Sequence, residues 1–260
     1  MTPVVYLALV LALGILAQWL AWRLKIPSIL ILLAFGFGLS ITTGAQIDAY
    51  LGGETDTLLA VVSLFVAVIL FEGGLTLKFS ELKQAGVPIL RLCTLGVAIA
   101  FILGSVGAAM IFQWNWRVAA LLGAILVVTG PTVVGPLLRV IKPSRKISSI
   151  VKWEGIVVDP IGAILAVLVF QAAVAGGLQS AGSAVFIALI KTMLVGIVLA
   201  LLIAKIIEFL LKRHYIPEFL ESVFLLAVVA AAFAASNSFQ EESGLLTVTV
   251  LGIALANQKS

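Results

Sequence analysis

The chain has 260 residues, of which 62% are hydrophobic and 11% are charged, and its formal net charge is +4. Its mean hydropathy is +1.25. A soluble domain of this length could not bury that much apolar surface. Composition therefore predicts one all-α polytopic membrane domain over residues 1–260. The basic residues lie in loops, so the positive charge indicates membrane topology and not a nucleic-acid partner.

A transmembrane helix needs about 20 apolar residues, and the chain has room for about nine such spans. The apolar runs are continuous and do not alternate, which argues against the strands of a membrane barrel. The first run follows no basic segment and is too long for a signal peptide, so it is interpreted as a retained span. The predicted spans are 4–22, 27–43, 57–77, 88–112, 117–139, 149–174, 183–211, 217–236 and 242–257.

Charges in the predicted loops alternate along the chain. Basic residues follow the first, third, fifth, seventh and ninth spans, whereas acidic residues follow the second and the eighth. By the positive-inside rule the basic loops are cytoplasmic, which predicts an outside N-terminus and a cytoplasmic Ser260 at the cell (inner) membrane. The tryptophans lie at predicted span ends, where an aromatic belt is expected: Trp19, Trp22, Trp114, Trp116 and Trp153.

The fifth span contains residues that do not favour a continuous helix. Thr129, Gly130 and Pro131 fall near its middle, and Pro136 follows them. Glycine is a weak helix former, and proline lacks an N–H donor and clashes with the preceding turn. We predict a helix break at the bilayer midplane, a recurring feature of transporters whose helix ends offer carbonyls to an ion. A simple proline kink for packing is the alternative.

The sixth span contains a carboxylate that should not lie in a membrane. Asp159 is about ten residues, or about 15 Å, from the predicted cytoplasmic end of the span, the same depth as Thr129. An intramembrane carboxylate is costly and indicates function by default. It can hold a proton or a cation, and this competition is the minimum requirement for exchange. The alternative is a structural Asp159 neutralised by a lysine of another helix.

Other polar residues receive structural interpretations. Glu154 could line a cytoplasmic funnel or hold two helices together, and the structural role is favoured. Glu72, beside two glycines, is interpreted as structural or as part of the cytoplasmic entrance. Lys205 and Glu208 are spaced to pair on one helix face. A polar cluster is interpreted as a solvated outer loop: Ser236, Asn237, Ser238 and Ser243.

No enzymatic chemistry competes with transport in this sequence. It contains no P-loop, no dinucleotide-binding fingerprint and no His/Cys metal-binding cluster. With one histidine, a Ser-His-Asp triad is implausible, and with one cysteine an internal disulfide is impossible. We therefore predict a protein that is not an enzyme and needs no cofactor, driven by an ion gradient or passive.

Four stretches together resemble the NhaP-like branch of the sodium/hydrogen exchanger superfamily, the monovalent cation:proton antiporters. They are IPSILILLAFGFGL, LFEGGL, TGPTVVGPLLR and EGIVVDPIGAI. The resemblance implies an inverted-repeat fold in which an unwound fifth span crosses the sixth, and it implies a homodimer. Asp159 would bind the proton and the transported Na⁺ or K⁺, Thr129 would coordinate the cation, and Glu154 would be largely structural. Such a protein would serve pH homeostasis.

Two positions depart from the family pattern. Gly130 stands where the family has the aspartate of a Thr-Asp-Pro motif, and Val158 stands where it has Asn or Asp before the ion-binding aspartate. The resemblance links a single aspartate to electroneutral exchange, so one carboxylate at Asp159 predicts one-for-one electroneutral exchange of a monovalent cation for H⁺.

Family members have more spans than this chain, and the second half of their crossing-helix core, with the base expected to pair with Glu154, would lie beyond it. The alternative function is therefore a non-transporting fragment, or a regulatory or assembly subunit of a larger membrane complex. A channel is disfavoured, because one carboxylate beside a broken helix indicates a single occluded site and not a row of sites.

Overall fold

The structure is a computed structural model that describes residues 3–43, 55–174 and 178–258, and within these ranges every regular element is a helix. These elements include a π-helical segment, Leu92–Gly96, and a short 3₁₀ turn, Glu218–Leu220. The helices are α1 (Pro3–Leu24), α2 (Ser28–Thr43), α3 (Thr55–Leu75), α4 (Phe79–Arg91), α5 (Val97–Phe112), α6 (Trp116–Leu126), α7 (Pro131–Ile141), α8 (Arg145–Val174), α9 (Leu178–Lys212), α10 (Glu221–Phe239) and α11 (Ser243–Ala256).

Six helical segments of the described ranges are long and apolar enough to cross a membrane, and three further apolar helices are shorter. The long segments are Val4–Leu24, Thr57–Leu75, Ala85–Phe112, Arg145–Val174, Phe186–Lys212 and Glu218–Phe239. The short ones are Ser28–Thr42, Trp116–Leu126 and Ser243–Ala256. Helices satisfy their backbone donors and acceptors internally, as hydrocarbon requires. The chain is a multi-pass membrane protein.

The chain divides into two compact units, and the first comprises Met1–Phe65 and Thr132–Pro143. Its described core is small: Ala17 and Ala21 of α1 are buried together with Ile31 of α2. The two alanines let the helix backbones approach closely, as small residues do between membrane helices.

The second unit comprises Val66–Pro131 and Ser144–Ser260. Its largest buried cluster joins α3 to α9, α10 and α11. Gly74 of α3 and Gly252 of α11 lie so close that a Cβ atom on either would overlap the backbone of the other helix. This unit contains Thr129, Gly130 and Pro131 of the fifth predicted span and Asp159 of the sixth, whereas Pro136 belongs to the first unit.

The prediction of a solvated outer loop is wrong for Ser236 and Ser243. Helix α10 continues to Phe239, and a short turn leads back into α11, so that Ser236 and Ser243 are both fully buried. The Ser236 Oγ atom lies 2.6 Å from Ser243 Oγ and 2.7 Å from Thr247 Oγ1. The hydroxyls can be buried because they bond to one another.

Two further expectations are corrected. The carboxylate of Glu208 pairs with Lys212, at 2.8 Å, and not with Lys205, because a spacing of four residues brings the charges together as well as a spacing of three. Trp153 does not belong to an exposed aromatic belt: only 6% of it is accessible, and its indole N–H donates to Glu81 Oε2 at 2.9 Å. The remaining four tryptophans are exposed.

Candidate ion-binding site

Residues 127–130 separate α6 from α7. Helix α6 ends at Leu126, and α7 begins at Pro131. Gly130 has a φ of 65°, a left-handed conformation that glycine adopts without a steric penalty. Pro131 is suited to the first helical position, where the N–H that it lacks would have no helical acceptor. The backbone groups of this segment are thereby outside regular helical hydrogen bonding.

Asp159 lies at the middle of α8, a helix of 30 residues. Its side chain is partly accessible, and its neighbours Val158 and Pro160 are buried. Pro160 has no N–H, so the helix cannot supply the usual donor to the carbonyl of Ile156. A polar side chain and a free acceptor thus occur within one turn of an otherwise apolar helix.

The segment 127–130 lies against α8. The Thr129 hydroxyl donates to Glu154 Oε1 at 3.1 Å. Val128 packs so tightly on Gly162 that a Cβ atom at position 162 would overlap the valine side chain. Glu154, Val158 and Gly162 are spaced by four residues and share one helix face, so Val158 occupies the middle of the face in contact with this segment.

The structure brings Thr129 to Glu154, whereas the sequence predicts Thr129 at the same depth as Asp159. Asp159 is one residue beyond Val158 and therefore points about 100° away around the axis of α8. Within the described ranges, the recorded ion pairs are Lys152–Glu81 and Lys212–Glu208, and no hydrogen bond or ion pair is made by the Asp159 carboxylate. Val158, which has 1% of its surface accessible, contributes no polar atom.

Glu72 lies on α3 with an exposed side chain. The next residue, Gly73, packs on Ile156, which a Cβ atom at Gly73 would meet at 3.4 Å. Glu72 therefore lies on the part of α3 that contacts α8 at Ile156, one turn before Asp159. The structure records no contact between the carboxylate of Glu72 and Thr129.

Glu81 is a residue that the sequence analysis did not single out. Its Oε1 atom accepts from Lys152 Nζ at 2.8 Å, and its Oε2 atom accepts from Trp153. Lys152 Nζ also donates to the carbonyl of Thr76 at 3.1 Å. The available signal was a pair of adjacent donors, Lys152 and Trp153, in one span. These bonds fix the first turns of α8, and hence the register of Glu154 and Asp159, against the α3–α4 connection.

Thr129, Glu154 and Asp159 offer oxygen ligands, together with the carbonyls of residues 127–130. Oxygen ligands suit hard cations, whereas soft transition metals prefer nitrogen and sulfur. Among the residues that the structure describes, no group of three or more His, Cys, Asp and Glu side chains is placed to hold a metal ion. The only formal charges of this arrangement are the carboxylates of Glu154 and Asp159.

The transmembrane sodium/hydrogen exchanger family matches residues 7–260. The chain belongs to the sodium/hydrogen exchanger family. It is 31% identical over 255 residues to the K(+)/H(+) antiporter NhaP2 of Shewanella sp. (strain MR-4), covering 96% of this chain and 43% of that protein. It is 30% identical over 264 residues to sodium/hydrogen exchanger 7 of Arabidopsis thaliana, covering 96% of this chain and 22% of that protein.

Two solved structures of the sodium proton antiporter MjNhaP1 from Methanocaldococcus jannaschii share the fold. The structure at pH 8 has a TM-score of 0.75 at 24% identity, over 98% of this chain and 62% of that one. The electron-microscopy structure has a TM-score of 0.77 at 26% identity, over 98% and 61%. The predicted resemblance to NhaP-like exchangers is confirmed, and this exchanger-family chain spans less than two thirds of the relatives' length.

Proposed function

We propose that the chain contains the ion-binding part of a secondary transporter that exchanges Na⁺ or K⁺ for H⁺, with Asp159 as the group that holds either ion. The proposal rests on the contact between residues 127–130 and α8. Thr129 meets Glu154, and Val128 meets Gly162, so this segment follows the stretch of α8 in which Asp159 lies.

Asp159 and Thr129 divide the work of ion binding in this proposal. The carboxylate of Asp159 supplies the negative charge, and the hydroxyl or carbonyl of Thr129 completes the coordination with other backbone carbonyls of residues 127–130. Glu154 accepts a hydrogen bond from the Thr129 hydroxyl, which leaves the lone pairs of that oxygen free for a cation. A proton arriving at Asp159 neutralises the charge and releases the cation. Broken helices around a fixed site serve transporters in this way.

Electroneutral exchange is proposed because Asp159 is the one carboxylate assigned to ion binding, whereas Glu154 is assigned to holding Thr129. Gly130 and Val158 occupy the two positions at which related transporters have further polar or acidic residues, and neither has an ionisable side chain. A site with one mobile carboxylate exchanges one cation for one proton, so that no net charge crosses the membrane.

The topology proposed for this protein is that of the sequence analysis. Residues 1–260 would form a single transmembrane domain of about nine spans, with the interruption at 127–130 inside the fifth. Asp159 would lie near the bilayer midplane, because it is about 21 Å along a helix long enough to cross the membrane with a margin at either end. The N-terminus would be outside, Ser260 cytoplasmic, and the inner-membrane protein a homodimer that contributes one half of an inverted-repeat core.

The test is ion-driven proton movement in proteoliposomes that contain the full-length protein and a trapped pH dye. Addition of Na⁺ or K⁺ should move protons in the wild type and not in Asp159→Asn, and the active ion identifies the substrate. Valinomycin or an imposed membrane potential should leave the rate unchanged if exchange is electroneutral.

A matched control is Glu208→Gln, which removes a carboxylate from another long apolar helix, where it pairs with Lys212 away from residues 127–130. This variant should exchange as the wild type does. Exchange by Asp159→Asn at the wild-type rate would show that Asp159 is structural. If the wild type itself moves no protons, the non-transporting subunit becomes the better interpretation.

A further inference from the structure

A cavity of about 720 Å³ opens in the first unit, between the junction of α1 with α2 and the C-terminal half of α7. Its lining includes the apolar side chains of Ala21, Ile26 and Val140. It also includes four basic residues, two from each side of the cavity: Arg23, Lys25, Arg139 and Lys142. The cavity therefore combines an apolar wall with a concentration of positive charge.

Two of these cations are held by strained backbone. Lys25 follows the end of α1 with a φ of 55°, and Lys142 follows the end of α7 with a φ of 49°. A non-glycine residue in this region is uncommon, and here it closes a helix. Cations at a helix C-terminus interact favourably with the helix dipole. This interaction explains why two basic residues lie at the end of α1 and two at the end of α7. It does not explain why both pairs line one cavity.

None of the residues that line the cavity is acidic. Residues 3–43 and 132–143, which supply the whole lining, contain no Asp or Glu. In the described part of the chain, none of the four makes an ion pair or a side-chain hydrogen bond. Like charges around one cavity repel one another, and a bound anion would convert that repulsion into attraction.

The surroundings favour an anion that is attached to a membrane. Trp22 lines the cavity with 74% of its surface accessible, and amphipathic indoles reside at the level of lipid headgroups. By the positive-inside rule the bases lie on the cytoplasmic side, where the bilayer surface carries anionic lipids. Basic pockets between transmembrane helices on that side bind phosphate-bearing headgroups.

We propose that this cavity binds the phosphate of an anionic phospholipid headgroup, with Arg23, Lys25, Arg139 and Lys142 as its ligands and the apolar wall against the acyl chains. Phosphate is a fitting anion because arginine pairs with its oxygens through two parallel bonds and lysine acts as a point charge. None of the four ligands belongs to the proposed ion-binding site, and lipid binding does not require ion exchange.

The test is native mass spectrometry of the full-length protein in detergent, titrated with phosphatidylglycerol or with phosphatidylcholine of matched chains. The wild type should bind phosphatidylglycerol in preference. Each basic residue near an anionic surface contributes about fivefold in affinity, so Arg139→Gln/Lys142→Gln should weaken binding about 25-fold. Arg23→Gln/Lys25→Gln, on the other helix, should do the same, which guards against misfolding of one variant.

The matched control is Arg145→Gln/Lys146→Gln, which removes the same charge from exposed positions outside the cavity. It should keep phosphatidylglycerol binding within about twofold of the wild type, as should Asp159→Asn, whatever its exchange activity. Equal losses in control and cavity variants would overturn the proposal, as would equal binding of the two lipids. Glycerol phosphate that binds as tightly as phosphatidylglycerol would assign the cavity to a soluble phosphate and overturn the lipid assignment.

Discussion

Two polar regions of the second unit differ in whether their side chains are hydrogen-bonded. Between α10 and α11, the hydroxyls of Ser236, Ser243 and Thr247 are fully buried and bond to one another. The Thr247 hydroxyl also shares its proton between the carbonyl oxygens of Ser243, at 3.0 Å, and of Gly196, at 3.2 Å, and so joins α9 to the cluster. Along α8, in contrast, the Asp159 carboxylate is partly accessible and makes no bond to any residue that the structure describes.

The difference separates structural from functional polarity in a membrane domain. A neutral hydroxyl whose donor and acceptor sites are filled by other helices fixes their packing. A carboxylate at membrane depth needs a partner for its charge. In the proposed function, the Asp159 carboxylate, which makes no bond to a residue that the structure describes, binds a proton and a cation in turn.

The largest expected effect comes from Asp159→Asn. Exchange should fall to the rate of protein-free liposomes, because the amide can neither carry the proton nor balance a cation. The same preparation should unfold at an unchanged or higher temperature, since an intramembrane charge has been removed. Proton flux and thermal unfolding would both be measured. If the unfolding temperature of the variant fell by several degrees and its proton flux were retained, Asp159 would be a structural residue.

Thr247→Val should give the opposite pattern. Valine keeps the shape but leaves Ser236 and the Gly196 carbonyl each without one partner, so the free energy of unfolding should fall by about 1 kcal/mol. Exchange per folded protein should remain. The control is Thr249→Val in the same helix, whose hydroxyl bonds only to Leu245 O one turn earlier, at 2.7 Å. Equal destabilisation by both variants would remove the special role of the interhelical cluster.

Thr129 tests whether the contact between residues 127–130 and α8 prepares an ion ligand. Thr129→Val should raise the cation concentration for half-maximal exchange about tenfold, the equivalent of about 1.4 kcal/mol. Thr129→Ser, which keeps the hydroxyl, should restore most of that affinity. Initial rates over a range of cation concentrations would distinguish the two, and a valine variant with unaltered affinity would reduce Thr129 to a packing residue bonded to Glu154.

The smallest effect concerns Glu242, in the turn before α11. Burial, together with the neighbouring Glu241, raises the pKa of Glu242 above its ordinary value. Ionised Glu242 therefore lowers the stability of the folded state. This loss of stability is absent at a pH below the pKa of Glu242 in the unfolded chain, and it is complete at a pH above its pKa in the folded protein. Glu242→Gln should accordingly raise the melting temperature at pH 7 and leave it unchanged near pH 4. A difference that persists in acid would contradict this cause.

The helix interruption and the candidate carboxylate could be predicted because each depends only on the residue types in its own segment. Gly130 and Pro131 disfavour a regular helix wherever they occur, and an aspartate in an apolar run is conspicuous without knowledge of its neighbours. The partners of these residues were not predictable in the same way. Helices that are apolar on all sides lack the hydrophobic face that would indicate which side packs inward, so nothing in the sequence paired Thr129 with Glu154 or Glu81 with Trp153.

The sequence by itself determined that this protein is helical, lies in a membrane and belongs to the sodium/hydrogen exchanger family. Continuous apolar runs and a few motifs suffice for this, because hydrocarbon permits few backbone structures. Only the tertiary structure decided that Thr129 contacts Glu154, that Ser236 and Ser243 are buried, and that four basic residues line one cavity. These features depend on which helix faces meet, and that choice is made by packing between elements distant in sequence.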